Sequence, residues 1–435
     1  MRVRKLYLLV LLVAALALVA AGCGGDDDDE DGGAAAEQVS GTVDISGIWT
    51  GQEAKSFQAV LDGFTSKFPD VTLKYTSGGD NVPTILATAV QGGRPPDIAG
   101  VAQPGLVNDL QKKGALKPIE FARSTIADNF PEDIVKLGEI DDRLYSLLFK
   151  AANKSTVWYN VSAFETAGIS PPETWDDLLE VAETLKAAGI PAYSIAGADG
   201  WTLTDLFENV YLRQAGPEKY DQLTTHAIPW SDESVKDALA TMADVLGDEG
   251  NVAGGTSGAL QTDFPTSVAN VFRDPPKAAM VIEGDFVPGA AANTELEPGT
   301  GYDVFPFPAL GDVENAVMGG GDSMIMFRRT PASEALMKYL ASPEAAEIWA
   351  RRGGFSTANR NVPDTAYPDE ITRRTATAIA DAETFRFDMS DQQPAAFGGT
   401  PGQGEWKILQ DFLADPSDVD GTARKLEAAA ARAVR

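Results

Sequence analysis

Between residues 42 and 101, runs of hydrophobic period two take turns with runs of period 3.6, and that alternation narrows the folds open to this chain. Thr42-Val43-Asp44-Ile45-Ser46 alternates like a strand, and the run closes in a turn near Gly47 and Ile48 before Trp49. Residues 56–68 place Phe57, Val60, Leu61, Phe64 and Phe68 on one helical stripe, and Pro69 stops it. Residues 71–75 alternate again, 84–91 read as a helix, and 96–101 as a short buried strand. Strand, helix, strand, helix, strand is the order of an α/β domain whose parallel strands are joined by helical crossovers. The pattern resumes at 277–282, a strand candidate ending at Glu283-Gly284-Asp285. Helices are predicted at 334–340, with Ser333 as N-cap, and at 343–352, 373–382 and 417–435. No fixed-period repeat appears.

At 435 residues the chain is long enough for two or three domains of about 150 residues each. Its net charge of −29 repels phosphate backbones, so nucleic acid is not expected as a partner. One cysteine, Cys23, and one histidine, His226, exclude an internal disulfide and any zinc site built from four Cys or from two Cys and two His. No metal or cofactor is expected.

The cysteine stands at the end of a leader. Arg2, Arg4 and Lys5 precede a short apolar run at 6–21, which falls short of the roughly 20 residues of a spanning helix. Val19-Ala20-Ala21-Gly22-Cys23 resembles a bacterial lipobox, with Ala20 where Leu is usual; residues 1–22 then form a lipoprotein signal peptide and Cys23 carries lipid. Lipidation would make the N-terminal lipid the only membrane contact. Residues 23–40, rich in Asp and Gly, read as an extended acidic tether. Asp27, Asp29, Asp31 and Gly32 imitate the start of a calcium loop, but Gln38 stands where the bidentate Glu is needed.

Several pieces taken in order carry a resemblance. These are the lipobox, the strand-loop-helix opening at 45–68, Pro96-Asp97-Ile98, Leu144-Tyr145-Ser146-Leu147-Leu148-Phe149, Val157-Trp158-Tyr159-Asn160 and Pro172-Glu173-Thr174-Trp175-Asp176-Asp177-Leu178. Together they resemble the extracellular solute-binding proteins of ABC sugar importers, across nearly the whole mature chain. Lys150-Ala151-Ala152-Asn153-Lys154, Gly197-Ala198-Asp199-Gly200-Trp201, Leu212-Arg213-Gln214-Ala215-Gly216 and Phe272-Arg273-Asp274-Pro275 are similar to the alpha-glucoside-binding branch. The resemblance implies a two-lobe, hinged α/β periplasmic-binding-protein fold with the ligand in the cleft. It assigns residues 41–150 and about 306–356 to the first lobe, and 151–305 and about 357–435 to the second. It also implies a monomer outside the cell membrane that hands a sugar to a membrane permease and performs no chemistry.

A sugar offers hydroxyls at its rim and C–H patches on its faces. Aromatic rings suit the faces; carboxylates, amides and cations suit the hydroxyls, because an unmatched buried polar group costs about 1–3 kcal/mol. Residues of those types at strand ends and in Gly-rich loops are Trp49, Glu53, Asp97, Gln103, Lys150, Asn153, Asp199, Trp201, Glu283, Asp285, Gly321, Asp322, Arg360 and Trp406. At the crossing, one of Lys150, Asn153 and Lys154 is expected to face the cleft. Gly319-Gly320-Gly321 would let backbone approach a ligand closely. Trp158, Trp175, Trp230, Trp349 and His226 read as structural.

Rival chemistry finds little support. The spacing of Gly399–Gly404 suits a phosphate loop, but Glu405 stands where Lys is required. No Gly-x-Ser-x-Gly elbow is present, nor any Gly-x-Gly-x-x-Gly after a strand. Two alternatives stay open at this point: a glycosidase using paired carboxylates, and a receptor for a cationic solute.

Overall fold

A computed structural model describes residues 39–291, 294–313 and 315–433. The leader and Cys23 lie outside the described residues, and so does most of the tether.

The strands are β1 (Gly41–Gly47), β2 (Val71–Ser77), β3 (Ile98–Val101), β4 (Glu139–Ile140), β5 (Arg143–Leu144), β6 (Ser146–Asn153), β7 (Thr156–Asn160), β8 (Met280–Ile282), β9 (Tyr302–Pro306), β10 (Ala316–Met326) and β11 (Thr384–Phe387). The main sheet runs β11-β10-β3-β1-β2, with β6 also paired to β10. β1 is parallel to β2 and to β3, as the opening alternation predicts, with the Gly51–Lys67 and Val82–Gln91 helices as crossovers. β10 runs antiparallel to both β3 and β6. A second sheet, β8-β7-β9, is wholly antiparallel. Apart from the parallel β10–β11 pair, parallel pairing lies in the first lobe; the second lobe is mostly helix packed around three short strands.

Each lobe has its own core. Val43, Ile45, Phe57, Phe64, Met324, Leu336 and Trp349 belong to the first. Val157, Leu178, Phe207, Trp230, Leu239 and Phe412 belong to the second. Fully burying each such side chain is worth about 1.5–3 kcal/mol. Phe305, Phe307, Ala316 and Met318 pack in the second core, although residues from about 306 onward are expected in the first lobe. The reason is β10 itself, an 11-residue strand buried along its whole length. Its start pairs with β11 and its end with β3, so the chain changes lobes inside the strand. Phe355 and Ala366 stay in the first core, and Ile371 joins a smaller second-lobe cluster with Trp158 and Phe272, so this return falls later than 357.

Two helix starts illustrate local control. Thr174 caps the Trp175–Ala187 helix in a reciprocal box with Asp177, and Asp176 and Asp177 suit the positive end of the helix dipole. The Pro331–Leu340 helix begins earlier than predicted. Thr330 is its N-cap, and Ser333 is the third residue of the box rather than the cap.

Two of the three glycines of β10 have protein close against them. A Cβ at Gly321 would sit 2.3 Å from the Lys150 carbonyl oxygen, and one at Gly319 would sit 2.4 Å from the Phe385 ring. Only glycine lets β6 and the Phe385 ring lie this close to β10.

Candidate functional site

A cavity of about 340 Å³ lies between the lobes. One wall comes from the first lobe: Trp49 and Glu53 around the start of the Gly51–Lys67 helix, Asp80, Gln103 after β3, and Gly321-Asp322 of β10. The other comes from the second: Asp199 and Trp201 at the start of the Trp201–Ala215 helix, Phe264, Phe286, Asp391 and Trp406. The β6 crossing forms the floor. Successive side chains of a strand point to opposite faces, so Lys150, Ala152 and Lys154 all turn to the cleft. The lobes touch where the Ala395 N–H donates to Asp109 at 3.3 Å and Gln103 packs beneath Gly399, and again where Gly289 packs on Gly354.

Lys150 bonds Glu53 and lies 3.9 Å from Asp322. Trp49 is buried against Phe57, Phe149 and Trp349, and its Nε1–H donates to Asp322 at 2.6 Å. Its body is core and its edge orients a cleft carboxylate. Burial pushes the Asp322 carboxyl up, against the pull of Lys150. Burial alone would drive Lys150 down; Glu53 and Asp322 reverse that and hold its ammonium above the ordinary range.

Lys154 donates to Asp205 at 3.0 Å and to Asp388, and lies 3.8 Å from Asp391. Its ammonium sits 5.8 Å from the centre of the Trp201 ring. Burial pushes Asp205 up to about 7, with Lys154 opposing. Burial likewise raises Asp391, and Asp388 adds to the rise. Asp388 goes the other way: burial would raise it, but Lys154 overrides burial and holds it low. Burial pushes the Asp80 carboxyl of the first lobe up to about 6, Asp199 across the cleft adds to the rise, and Trp201 opposes it.

Nine residues predicted from sequence line this cavity: Trp49, Glu53, Gln103, Lys150, Asp199, Trp201, Gly321, Asp322 and Trp406. Five do not. Asp97 is buried behind the sheet, where it accepts from the Asp44 N–H at 2.8 Å and from Arg328; it ties β1 to the chain after β10. Arg360 is exposed and donates to the Ala127 and Asp128 carbonyls. Asn153 has the wrong strand parity and donates to the Thr375 carbonyl. Asp285 accepts from the Asn153 N–H at 3.0 Å and from Ser356 at 2.5 Å, bracing the crossing from outside the cleft. Glu283 is buried with no hydrogen-bond partner on either carboxylate oxygen.

Sequence reasoning missed Asp80, Phe264, Phe286 and Asp391. Asp80 follows Gly78-Gly79, the Gly-rich setting that singled out Trp201, so a signal existed. Asp391 lies in the four-residue turn Met389–Gln392, too short to carry a period. Among the described residues, no group of three or more His, Cys, Asp or Glu is placed to hold a metal ion.

Residues 48–347 match the family described as bacterial extracellular solute-binding protein. The chain belongs to that family. It is 31% identical over 388 residues to the osmoprotective compounds-binding protein GgtB of Synechocystis sp., covering 87% of this chain and 90% of that protein. It is 30% identical over 397 residues to the alpha-glucosides-binding periplasmic protein AglE of Rhizobium meliloti, covering 88% and 85%. Among solved structures, the bacterial solute receptor AcbH superposes with a TM-score of 0.78 at 16% identity, over 91% of this chain and 99% of that one. A chitin oligosaccharide binding protein superposes at 0.77 and 20% identity, with the same coverage. These receptors share the two-lobe fold. The chain is an extracytoplasmic solute receptor of the ABC-importer class, a binding protein and not an enzyme.

Proposed function

We propose that this receptor binds a small α-glucoside in the cleft and delivers it intact to the transmembrane subunits of an ABC importer. The observation that carries this reading is the mixture lining one cavity: the Trp201, Phe264, Phe286 and Trp406 rings on one wall, and Glu53, Asp80, Asp199, Asp322 and Asp391 around them. Rings take sugar faces and carboxylates take hydroxyl protons. The volume, about 340 Å³, is at the low end of the range of about 300–1,000 Å³ for small-molecule sites, which favours a mono- or disaccharide-sized ligand over a long chain. The names of GgtB and AglE support a small glucoside, one through osmoprotective compounds and the other through alpha-glucosides.

In this reading the hinge comprises the 153–156 crossing, the middle of β10 and the segment after Ala366. The lobes close when the ligand touches both walls. Cys23 carries the lipid, and the receptor acts as a monomer. Asp80, Asp199 and Asp263 line the cleft with no salt bridge among the described residues, so a glycoside bearing an amine is a second ligand class to test.

Titration calorimetry with maltose, trehalose, an α-glucosyl polyol, maltotetraose and glucosamine tests the proposal. Saturable binding of a mono- or disaccharide-sized α-glucoside, tighter than that of maltotetraose and without turnover, is expected. Binding of glucosamine alone would overturn it in favour of a cationic solute.

A further inference from the structure

A second cavity, of about 300 Å³, lies on the opposite face of the same crossing. Strand parity sets this. Lys150, Ala152 and Lys154 face the cleft, while Asn153 and Ser155 line the second cavity. Most of its wall is apolar, including Val304, Phe305 and Phe307. Its one buried charge is Arg213, from the Leu212-Arg213-Gln214-Ala215-Gly216 motif that the sugar cleft leaves unexplained.

Arg213 is only 3% exposed, yet no carboxylate among the described residues pairs with it. Its Nη1 donates to the Asn209 carbonyl and side chain, and its Nη2 donates to the Ala316 carbonyl at 2.6 Å. The Nε–H and one hydrogen of Nη2 are left without a protein acceptor. Its guanidinium also lies 4.7 Å from the centre of the Phe307 ring. Burial pulls its pKa down to about 9, with no acid to oppose. In a chain of net charge −29, a buried cation left without an acid is an exception that calls for an anion. At the rim, Arg374 is already held by Asp303 at 2.8 Å, and Glu173 is exposed to solvent.

We propose that this cavity binds a small organic anion, a carboxylate or a phosphate monoester on an apolar body. The planar guanidinium fork grips the anionic head and the apolar wall takes the body. Asn153, Thr156, Ala316, Val317 and Thr375 all belong to segments that cross or flank the hinge. An anion held by these segments more tightly in the sugar-bound arrangement than in the free one raises sugar affinity, and sugar raises anion affinity by the same factor. This coupling rests on the sugar-receptor reading; the anion site itself does not.

The test is calorimetry on the full chain, without sugar, using benzoate and phenyl phosphate, with benzyl alcohol as the uncharged control. Saturable binding of at least one anion and none of benzyl alcohol is expected; which anion binds decides between the two head groups. Ala378→Phe fills the cavity and leaves the Arg213 hydrogen bonds alone; it should abolish anion binding while the melting point stays within a few degrees. Arg213→Lys should weaken binding about ten-fold or more. No saturable binding below about 10 mM, or binding that survives Ala378→Phe, would overturn the site. With anion saturating, sugar affinity should rise about five-fold; an unchanged value would overturn the coupling. Sugar binding without anion binding defeats this inference alone, and the converse defeats only the α-glucoside reading.

Discussion

Lys150 and Lys154 stand on the same side of one strand crossing, four residues apart, and their surroundings differ. In contact with Lys150 are two carboxylates, Glu53 and Asp322, both engaged by neighbours, while Asp285 acts on it from farther off. Around Lys154 stand Asp205, Asp388 and Asp391, and beyond them the buried carboxyls of Glu208, Glu283 and Glu405. Glu208 accepts from Tyr220 at 2.6 Å and from the Ser390 N–H at 2.9 Å, but Glu283 and Glu405 have no partner. One ammonium cannot neutralise so many acids. Burial pushes the carboxyls of Glu208, Glu283 and Glu405 well up, and the neighbouring acids add to the rise. The first-lobe half of the floor is a nearly balanced ion cluster, whereas the second-lobe half is an acid store pinned by a single lysine.

The sharpest way to break this contrast is to remove each lysine. Lys154→Met strands Asp205 and Asp388 in a dry interior and should cost about 3–5 kcal/mol. Lys150→Met should cost less, about 1–3 kcal/mol, because the Glu53 side chain is 29% exposed and can turn to water. Urea unfolding at pH 7.5 reads both values, and equal losses would remove the asymmetry.

The two tryptophans beside these lysines should separate in the same way. Trp201 is partly exposed in the cleft, so Trp201→Ala should cost about 2 kcal/mol of sugar affinity, near 30-fold, with little loss of stability. Trp49 is core, so Trp49→Phe should cost stability, about 1–2 kcal/mol, by freeing Asp322 from its donor, and should change sugar affinity less. Calorimetric titration paired with melting curves tests this. Similar effects on both quantities would show that the two walls do not divide the work.

The half of the floor built from local sequence was the more legible. Trp49 and Glu53 sit at the ends of elements whose periods are plain, where a cleft residue is expected, and Lys150 lies in a crossing that the resemblance marks. The same rule misplaced Asp97, because a carboxylate at a strand end serves equally well to accept a neighbouring strand's N–H. It misplaced Asn153 because the parity of β6, not proximity to the crossing, decides which face a residue sees. Asp388 and Asp391 stand more than 230 residues from Lys154 and share no pattern with it. Burial and pairing bring them together, and neither is written in the spacing of a single chain. The glycines of β10 show that a requirement for close approach does not say what approaches.

The smallest expected effect is the most specific to the acid store. Asp205 has its pKa pushed up from 3.8 to about 7 by burial. A carboxyl raised in the folded state binds more protons there than in the unfolded chain. Its contribution to stability is fully present below about pH 4 and is lost as pH rises through the folded value. Glu208, Glu283, Asp391 and Glu405 carry the same sign. Asp388, held low by Lys154 against burial, carries the opposite sign, but its effect is lost only as pH falls below the ordinary carboxylate range. The melting temperature should therefore be higher at pH 5.5 than at pH 8. Glu283→Gln keeps the shape and removes one of these titrations, so it should flatten that slope and add about 1 kcal/mol at pH 8 while changing little at pH 5.5. Asp322→Asn, in the balanced half, should flatten the slope less, because Lys150 beside it opposes the rise that burial gives Asp322. Scanning calorimetry of the three proteins across this range decides the matter. A parent profile that is flat or rises with pH would mean that the second-lobe acids are ionised and hydrated, and that the two halves of the floor do not differ as described.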